Sequence, residues 1–585
     1  NLDKLESLGM YAFFNAQGIE NLEIGDRLEE IPESAFAYSY NIKTIKISND
    51  VKKIGNGAFT SDDAETVQIG SNDNSKLQEI GENVFSDESK GSVITIHTAK
   101  SDVKIKSNSF GNLDNVKWTL ESEDETGKII YINGKNGDDD KDGLTKENAV
   151  KTFERAKEIA KKNKNIKTIY VTGTVNVAGD ISLEDTNAIL KRDESFTGTM
   201  ITVEKGKEAT LSNITIDGNS RKVDAISSII YVENSVLNIE NGTILQRNKV
   251  KVKGRQTAGG GAIHISSNGI INMKAGLIED NYATWGGGVF VHSGWQGNAT
   301  FNMSGGIIQN NRAMHDTRNQ HRESGGGICT WSGGGSNIVN ISGNAIIRNN
   351  KSAERGGGIS IGTHGATNGN EFLNMTGGTI IGNEAGAAGG GIFVQANYKK
   401  HKNVANISGG SIKNNKMIGG GTGNKSFGGG GIYVNGVGET QTAFANGELN
   451  LKKAIISDNT AKLEGGGYAS CPVSKTRLYL KNSVAIYNNN GSAGRDMYIL
   501  AGQWGGLHDG SPEYTITNTM LGGVPYLWKY ENGREVPLSD LEGVLDGRNE
   551  NSLKLHTDAV GNDNTKKLAK VLITGNSSTT RGGGI

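Results

Sequence analysis

Cysteine is almost absent from this chain, with two residues, Cys329 and Cys471, in 585. A disulfide framework is therefore excluded. Proline is nearly as scarce: five residues, and none between Pro32 and Pro472. A long stretch without Pro suits sheets in which nearly every backbone amide is paired and no donor can be spared. No apolar run approaches the roughly 18 residues that a membrane-spanning helix needs. Charge of one sign is also missing, since 62 basic and 63 acidic residues leave a net charge of −1. The two signs are mixed along the chain, which argues against nucleic acid or an anionic membrane surface as partner.

Glycine is what the chain has in excess, 84 residues, about twice ordinary usage. It is periodic rather than scattered. GGG recurs at 259–261, 286–288, 325–327, 356–358, 389–391 and 465–467, with GGGG at 428–431. Each run opens a short apolar stretch: AIHI, VFVH, ICTW, ISIG, IFVQ, IYVN, YASC. A second element follows (FNMSGG, VNISGN, LNMTGG, ANISGG), and a third closes on a polar pair (IEDN, IQNN, IRNN, IGNE, IKNN, ISDN). Three short strands and three turns in roughly 27 to 40 residues mark a solenoid. Glycine supplies backbone angles at a corner repeated in every coil. The column Asn281, Asn311, Asn350, Asn415 and Asn459 suits a turn where side chains satisfy backbone groups along the stack. A final RGGGI at 581–585 predicts another coil at the end of the array, with more to follow.

From about residue 128 onward these features resemble the right-handed parallel β-helix of the pectate-lyase-like superfamily, in its bacterial surface and secreted members. Cys329 and Cys471 then fall four coils apart, too far for a disulfide at about 4.8 Å per coil. Residues 1–127 follow another period. Ala12-Phe13, Ala35-Phe36 and Ala58-Phe59 recur 23 apart, followed by Val84-Phe85 and Ser109-Phe110. With IKTIKIS, LQEIG and IPESAF between them, this resembles the leucine-rich repeat of the bacterial surface-antigen type, an extended interaction surface. The fold class expected is an all-β solenoid: a parallel β-helix behind a leucine-rich-repeat module. The domains expected are that module (1–127), a β-helix cap and first coils (128–200), a β-helix core with groove loops (201–496), and an insertion with resumed β-helix (497–585). An amphipathic helix near 148–162 would close the open end of the β-helix. Asp138, Asp140, Asp142 and Gly143 fit the start of a calcium loop, but Ala149 stands where its twelfth-position acid belongs. A structural calcium there competes with an ordinary solvated acidic turn; no other cofactor is expected.

Alternation along each GGG strand turns its first and third residues inward and its second and fourth outward. The fourth-position column then reads Ile265, His292, Trp331, Gly362, Gln395, Asn435, which predicts His292 and Trp331 side by side on the surface. Trp285 precedes the strand of His292 and Trp295 follows it. Insertions gather at the same edge: 312–324, 363–372, 396–403 and 416–427. Loops grafted on one edge of a solenoid carry function, so they would wall a groove floored by His292 and Trp331. Aromatic rings beside carboxylates suit sugars, and two acids astride a glycosidic bond can hydrolyse it. The candidate catalytic acids are Asp316, Glu323 and Glu354. The candidate substrate contacts are Trp285, His292, Trp295, Trp331, His315, Asp280 and Arg355; His321 and Arg322 lie in the same loop.

The region also resembles the lacto-N-biosidase family of β-helix glycoside hydrolases, which implies two aspartates in one segment. Asp316 with Glu323 matches with one departure, and Asp217 with Asp224 keeps both acids but has no tryptophan nearby. The function expected is a secreted or cell-wall-attached glycoside hydrolase acting as a monomer on oligosaccharide or glycoconjugate. The alternatives are a glycan-binding adhesin and a stalk without specific ligand. Scarce cysteine with abundant Asn, Ser and Thr agrees with an extracellular place.

Overall fold

The computed structural model describes residues 2, 4–60, 64–71, 75–85, 93–98, 103–106, 109–110, 116–120, 128–251, 259–313, 324–362, 368–397, 401–419, 428–436, 445–469, 475–478, 483–499, 513–515, 517–537, 544–546 and 553–585. They form two compact units, Asn1–Thr126 and Gly127–Ile585.

In the first unit the described repeats give one strand each to a five-stranded parallel sheet, and four two-residue strands between them form a second sheet. Asn21–Ile24 pairs with Thr44–Ile47, and that with Thr66–Ile69. Leu22, Ile24, Ile45, Ile47, Val67 and Ile69 point to one face and are buried. They pack on a ladder made by the Ala-Phe turns. Phe13, Phe36, Phe59, Phe85 and Phe110 stack with centroids 5.2–5.9 Å apart and planes within 7°. The repeat length thus brings identical rings together at each step, and their burial holds neighbouring repeats in register. Exposed Lys–Glu pairs such as Lys46–Glu23 and Lys53–Glu30 also link successive repeats, but pairs so open contribute little.

The second unit is the β-helix. It opens with the strand Ile129–Asn133 and the helix Phe153–Lys162. Thr152 caps that helix by accepting from the Arg155 amide, with Glu154 in the first turn and Lys161 and Lys162 in the last. The helix buries Phe153, Ala156 and Ala160 against the first coil. Asp139 ties the preceding turn down by accepting from the amides of Lys151 and Thr152 and the Thr152 hydroxyl. Asp138 and Asp142 each accept the amide two residues on, which helps to shape this acidic turn. Among the described residues, no three or more His, Cys, Asp or Glu side chains come together as a metal site would require.

Among the described residues the coils form parallel sheets of 21, nine and seven strands, and the largest is two ladders side by side, because a coil gives it two successive strands, as Glu208–Ser212 and Ile214–Asp217 do. The polar pairs turn the corner between two of them. The first residue of each pair adopts a left-handed conformation: Asp280, Asn310, Asn349 and Asn414 have φ of 53° to 55°. The second is buried in an amide ladder. Asn281 donates to Asn311, Asn311 to Asn350, Asn350 to Asn383 and Asn383 to Asn415, each at 2.9–3.0 Å. Asn311, Asn350 and Asn415 therefore share one face, as their spacing predicts. Ladder residues also accept the previous coil's amide and donate to a carbonyl, as Asn350 and Asn311 do, so the side chains pair peptide groups that the buried turn would otherwise strand. At the next corner the coils close up on glycine. A Cβ on Gly326 would lie 2.4 Å from the Gly357 carbonyl oxygen and 2.5 Å from that of Lys351.

The structure changes two details of the sequence reading. Ile263 pairs with Val289 and Ile265 with Val291, so Ser266, not Ile265, stands in the column of His292. The reason is that Gly259, not Gly260, sits at the Trp285 position, which lets Ala262 replace the last corner glycine. The second change concerns RGGGI. Residues 571–585 do not extend the end of the array; they lie between the coil of 403–434 and that of 454–469. The excursion before them is built of antiparallel pairs: Met497–Ile499 and Trp528–Tyr530 flank Leu553–Thr557, and Glu513–Thr515 pairs with Val544–Asp546.

Candidate functional site

The site lies on the outer face of the nine-stranded sheet. Val289, Val291, Ile328, Ile359 and Ile361 point inward and are fully buried. The residues between them point outward and form aromatic columns along the coils. In one column the Tyr231 ring meets that of His264 edge-on at 5.2 Å, and Phe290 follows at 5.2 Å from His264. In the adjoining column His292 stacks on Trp331 at 5.2 Å and 22°. The columns are knit together, since Phe290 stacks on His292 at 5.2 Å and the two imidazoles approach to 3.4 Å between Nε2 of His264 and Nδ1 of His292. Trp285 closes the cluster, its ring 4.9 Å from Trp331 and tilted by 61°.

The predicted juxtaposition of His292 and Trp331 is thus present, but the pair sits lower than an open surface. Both are half-buried, Trp285 is only 6% exposed, and Trp295 is 85% exposed. Burial holds His292 down to about 4 and, with its neighbour His292, holds His264 down to about 3, so both rings are neutral at physiological pH. Neutral imidazoles and indoles make an uncharged floor with donor and acceptor edges. Cys329, in the outward column beside Phe290, is fully buried with its thiol pushed well above the usual range; it is an inert packing residue.

The charged candidates divide into groups. Asp316, Glu323 and His315, with His321 and Arg322, lie outside the described residues, as does Cys471. Glu354 and Arg355 are both buried, at 4% exposure. Arg355 follows Ser324 and Trp285 in a corner column and lays its guanidinium over Phe393 at 5.1 Å. Asp280 belongs to a polar cluster at the asparagine corner. Burial and the charge of Glu279 push its carboxyl up to about 7, against the pull of Arg247 and Arg221. Asp217 is buried and paired with Arg247, one coil on. Asp224 stands 3.4 Å from Lys249 and 3.6 Å from Lys251. The two acids of this segment are thus each held by cations of the following coil.

Sequence reasoning missed one residue. Glu371 is fully buried at the start of the strand Glu371–Ile381. Its Oε1 accepts the Ser332 amide at 2.6 Å and its Oε2 accepts from Asn337 at 3.0 Å. Burial pushes it up to about 7, against hydrogen bonds from Thr330, Asn337 and Ser332. Alignment of the repeats held the signal. Three residues before the Asn of the N-(M/I)-(S/T)-G motif stand Ala299, Asn337, Glu371 and Asn403, one acid in a column of uncharged residues.

Fold and site together describe a β-solenoid protein whose two units repeat in different periods. Against protein-family models, residues 2–117 match the BspA type leucine rich repeat region in six copies, one more than the Ala-Phe spacing marks. No curated protein and no solved structure matches the chain.

Proposed function

We propose that this is a bacterial surface-associated or secreted protein that binds carbohydrate in the aromatic groove of its β-helix. The stack of His292 on Trp331, with Trp285 at its edge, carries this reading. Apolar faces of pyranose rings stack on indoles, and neutral imidazoles can exchange hydrogen bonds with hydroxyls without demanding a charged ligand. The N-terminal match supports the location, because repeats of the BspA type are typical of surface-associated proteins. No helix among the described residues is long and apolar enough to cross a membrane. The β-helix and groove resemble the pectate-lyase-like superfamily, and Trp295 adds an exposed ring beside the groove.

Hydrolysis of the bound glycan is the second reading. It rests on the resemblance to the lacto-N-biosidase family: on this reading Asp316 and Glu323 are the carboxyl pair, with Glu354 as a substitute partner. A glycan-array screen, then titration of the best oligosaccharide, tests the first reading. Trp331→Ala is expected to weaken binding by about 1–3 kcal/mol, as for a buried anchor; unchanged affinity would remove the site. Product analysis tests the second. Asp316→Asn, Glu323→Gln or Glu354→Gln should cut turnover at least about a hundredfold with binding retained, and a glycan that is bound but never cleaved leaves the adhesin.

A further inference from the structure

The screw of the β-helix contains one displaced step. Glu448–Leu451 lies directly on the strand Asn403–Lys413, with Val404 opposite Glu448. Three residues later, Ala454–Ser457 lies two layers above that strand, because Val571–Thr574 is hydrogen-bonded between them. Gly410 and Ala454 both pair with Val571. The same insertion continues round the coil. Ser577 lies between Lys416 and Thr460, and Gly582 and Gly583 lie between Gly430 and Gly465. Asn576 completes the ladder, accepting from Asn415 and donating to Asn459, both at 3.0 Å. Val571, Ile573 and Ile585 enter the core with no exposure.

The layer is thus a slot about 4.8 Å thick, filled by a segment more than 110 residues away in sequence from the coil above it. Each contact of that segment is one that every coil makes with the next: backbone pairing, one ladder Asn, inward aliphatics and corner glycines. Its fit depends on its own sequence and not on how the chain reaches it. Emptied, the slot would present two rows of unpaired peptide groups, which bind any matching strand.

We propose that this layer is a strand-acceptor site and that residues 570–585 are its exchangeable occupant, so that the same segment of a second copy fills it and links two chains. In dilute solution the chain's own segment wins, because tethering gives it a high effective concentration. In the structure the coil of 454–469 takes its neighbour on that side from 571–585 and not from 403–434. Refolding at high concentration therefore opens the slot to a neighbour, the situation that yields swapped dimers.

Ala461 and Ser578 are register partners on adjacent strands, a separation inside the disulfide range. The test uses full chains in which Cys329 and Cys471 are replaced by Ser. One population carries Ala461→Cys and one tag, the other Ser578→Cys and a second tag. They are unfolded, mixed, refolded together at high concentration and oxidised. The double variant Ala461→Cys/Ser578→Cys, refolded dilute, should close its disulfide within the chain, and the mixture should give a covalent species carrying both tags, more abundant at higher concentration. Two results would overturn the proposal: a double variant that closes internally while the mixture never links, or a double variant that does not close at all.

Discussion

Glu371 illustrates what one residue can do inside a repeat. It takes the role that Asn337 takes one coil earlier, where the Asn side chain accepts the Ser293 amide at 2.7 Å, but it brings a charge. Its carboxyl is raised from an ordinary 4.5 to about 7, which fixes the sign of its effect. Below about pH 4.5 it is protonated folded and unfolded and costs nothing. As pH rises to about 7 only the unfolded chain releases the proton, so stability falls; above that the loss levels off. A shift of about 2.5 units at 1.36 kcal/mol each puts that loss on the order of 3 kcal/mol. Glu371→Gln should therefore gain on the parent chain between about pH 5 and pH 8 in denaturant unfolding, and an unchanged difference would refute the buried charge. A second residue-scale prediction concerns the left-handed corner. Asn349, at φ 53°, should tolerate Gly within a few tenths of a kcal/mol, while Val should cost about 1–2 kcal/mol, read from the unfolding midpoint.

The coil is the element that the sequence describes best, and the reason is physical. Corner glycines and ladder asparagines are demanded by backbone geometry, so they recur wherever the backbone recurs. Asn350 shows the demand. Its side chain donates to the Ile308 carbonyl and to Asn383, and accepts from both the amide and the side chain of Asn311. Asn350→Ala should cost at least about 2 kcal/mol, since it strands buried polar groups on both neighbouring coils. Asn349→Ala, one residue away, loses only its left-handed preference and should cost less; equal losses would contradict the ladder. What the sequence conceals is layer order. Nothing in RGGGI distinguishes a coil added at the end from one inserted a hundred residues back, because pairing partners are identical in kind. The aromatic cluster was legible for a related reason and only in part, and the loops expected to wall it, 312–324, 363–372, 396–403 and 416–427, fall partly outside the described residues. Strand alternation brings His292 to Trp331, but how deep they sit depends on packing around them, which has no period. Glu371 was overlooked because it looks like an ordinary loop acid until the repeats are laid over one another.

At the scale of the whole molecule, two units with separate cores should unfold as separate transitions in calorimetry. The leucine-rich repeats, stabilised by nearest neighbours alone, should keep their own midpoint when the β-helix is weakened by Asn350→Ala. A common shift of both transitions would contradict this. The functional claim is that the β-helix holds carbohydrate at Trp331. The chain has six tryptophans, at 118, 285, 295, 331, 504 and 528. The most direct test is to label their indole nitrogens with nitrogen-15, assign the signals by single Trp→Phe substitution, and titrate in the oligosaccharide selected on the array. The signal of Trp331 should move in proportion to occupancy, with those of Trp285 and Trp295 following, while those of Trp118, Trp504 and Trp528 stay. A saturable titration that shifts only Trp118, Trp504 or Trp528, or that leaves the Trp331 signal in place, would show that the glycan binds elsewhere.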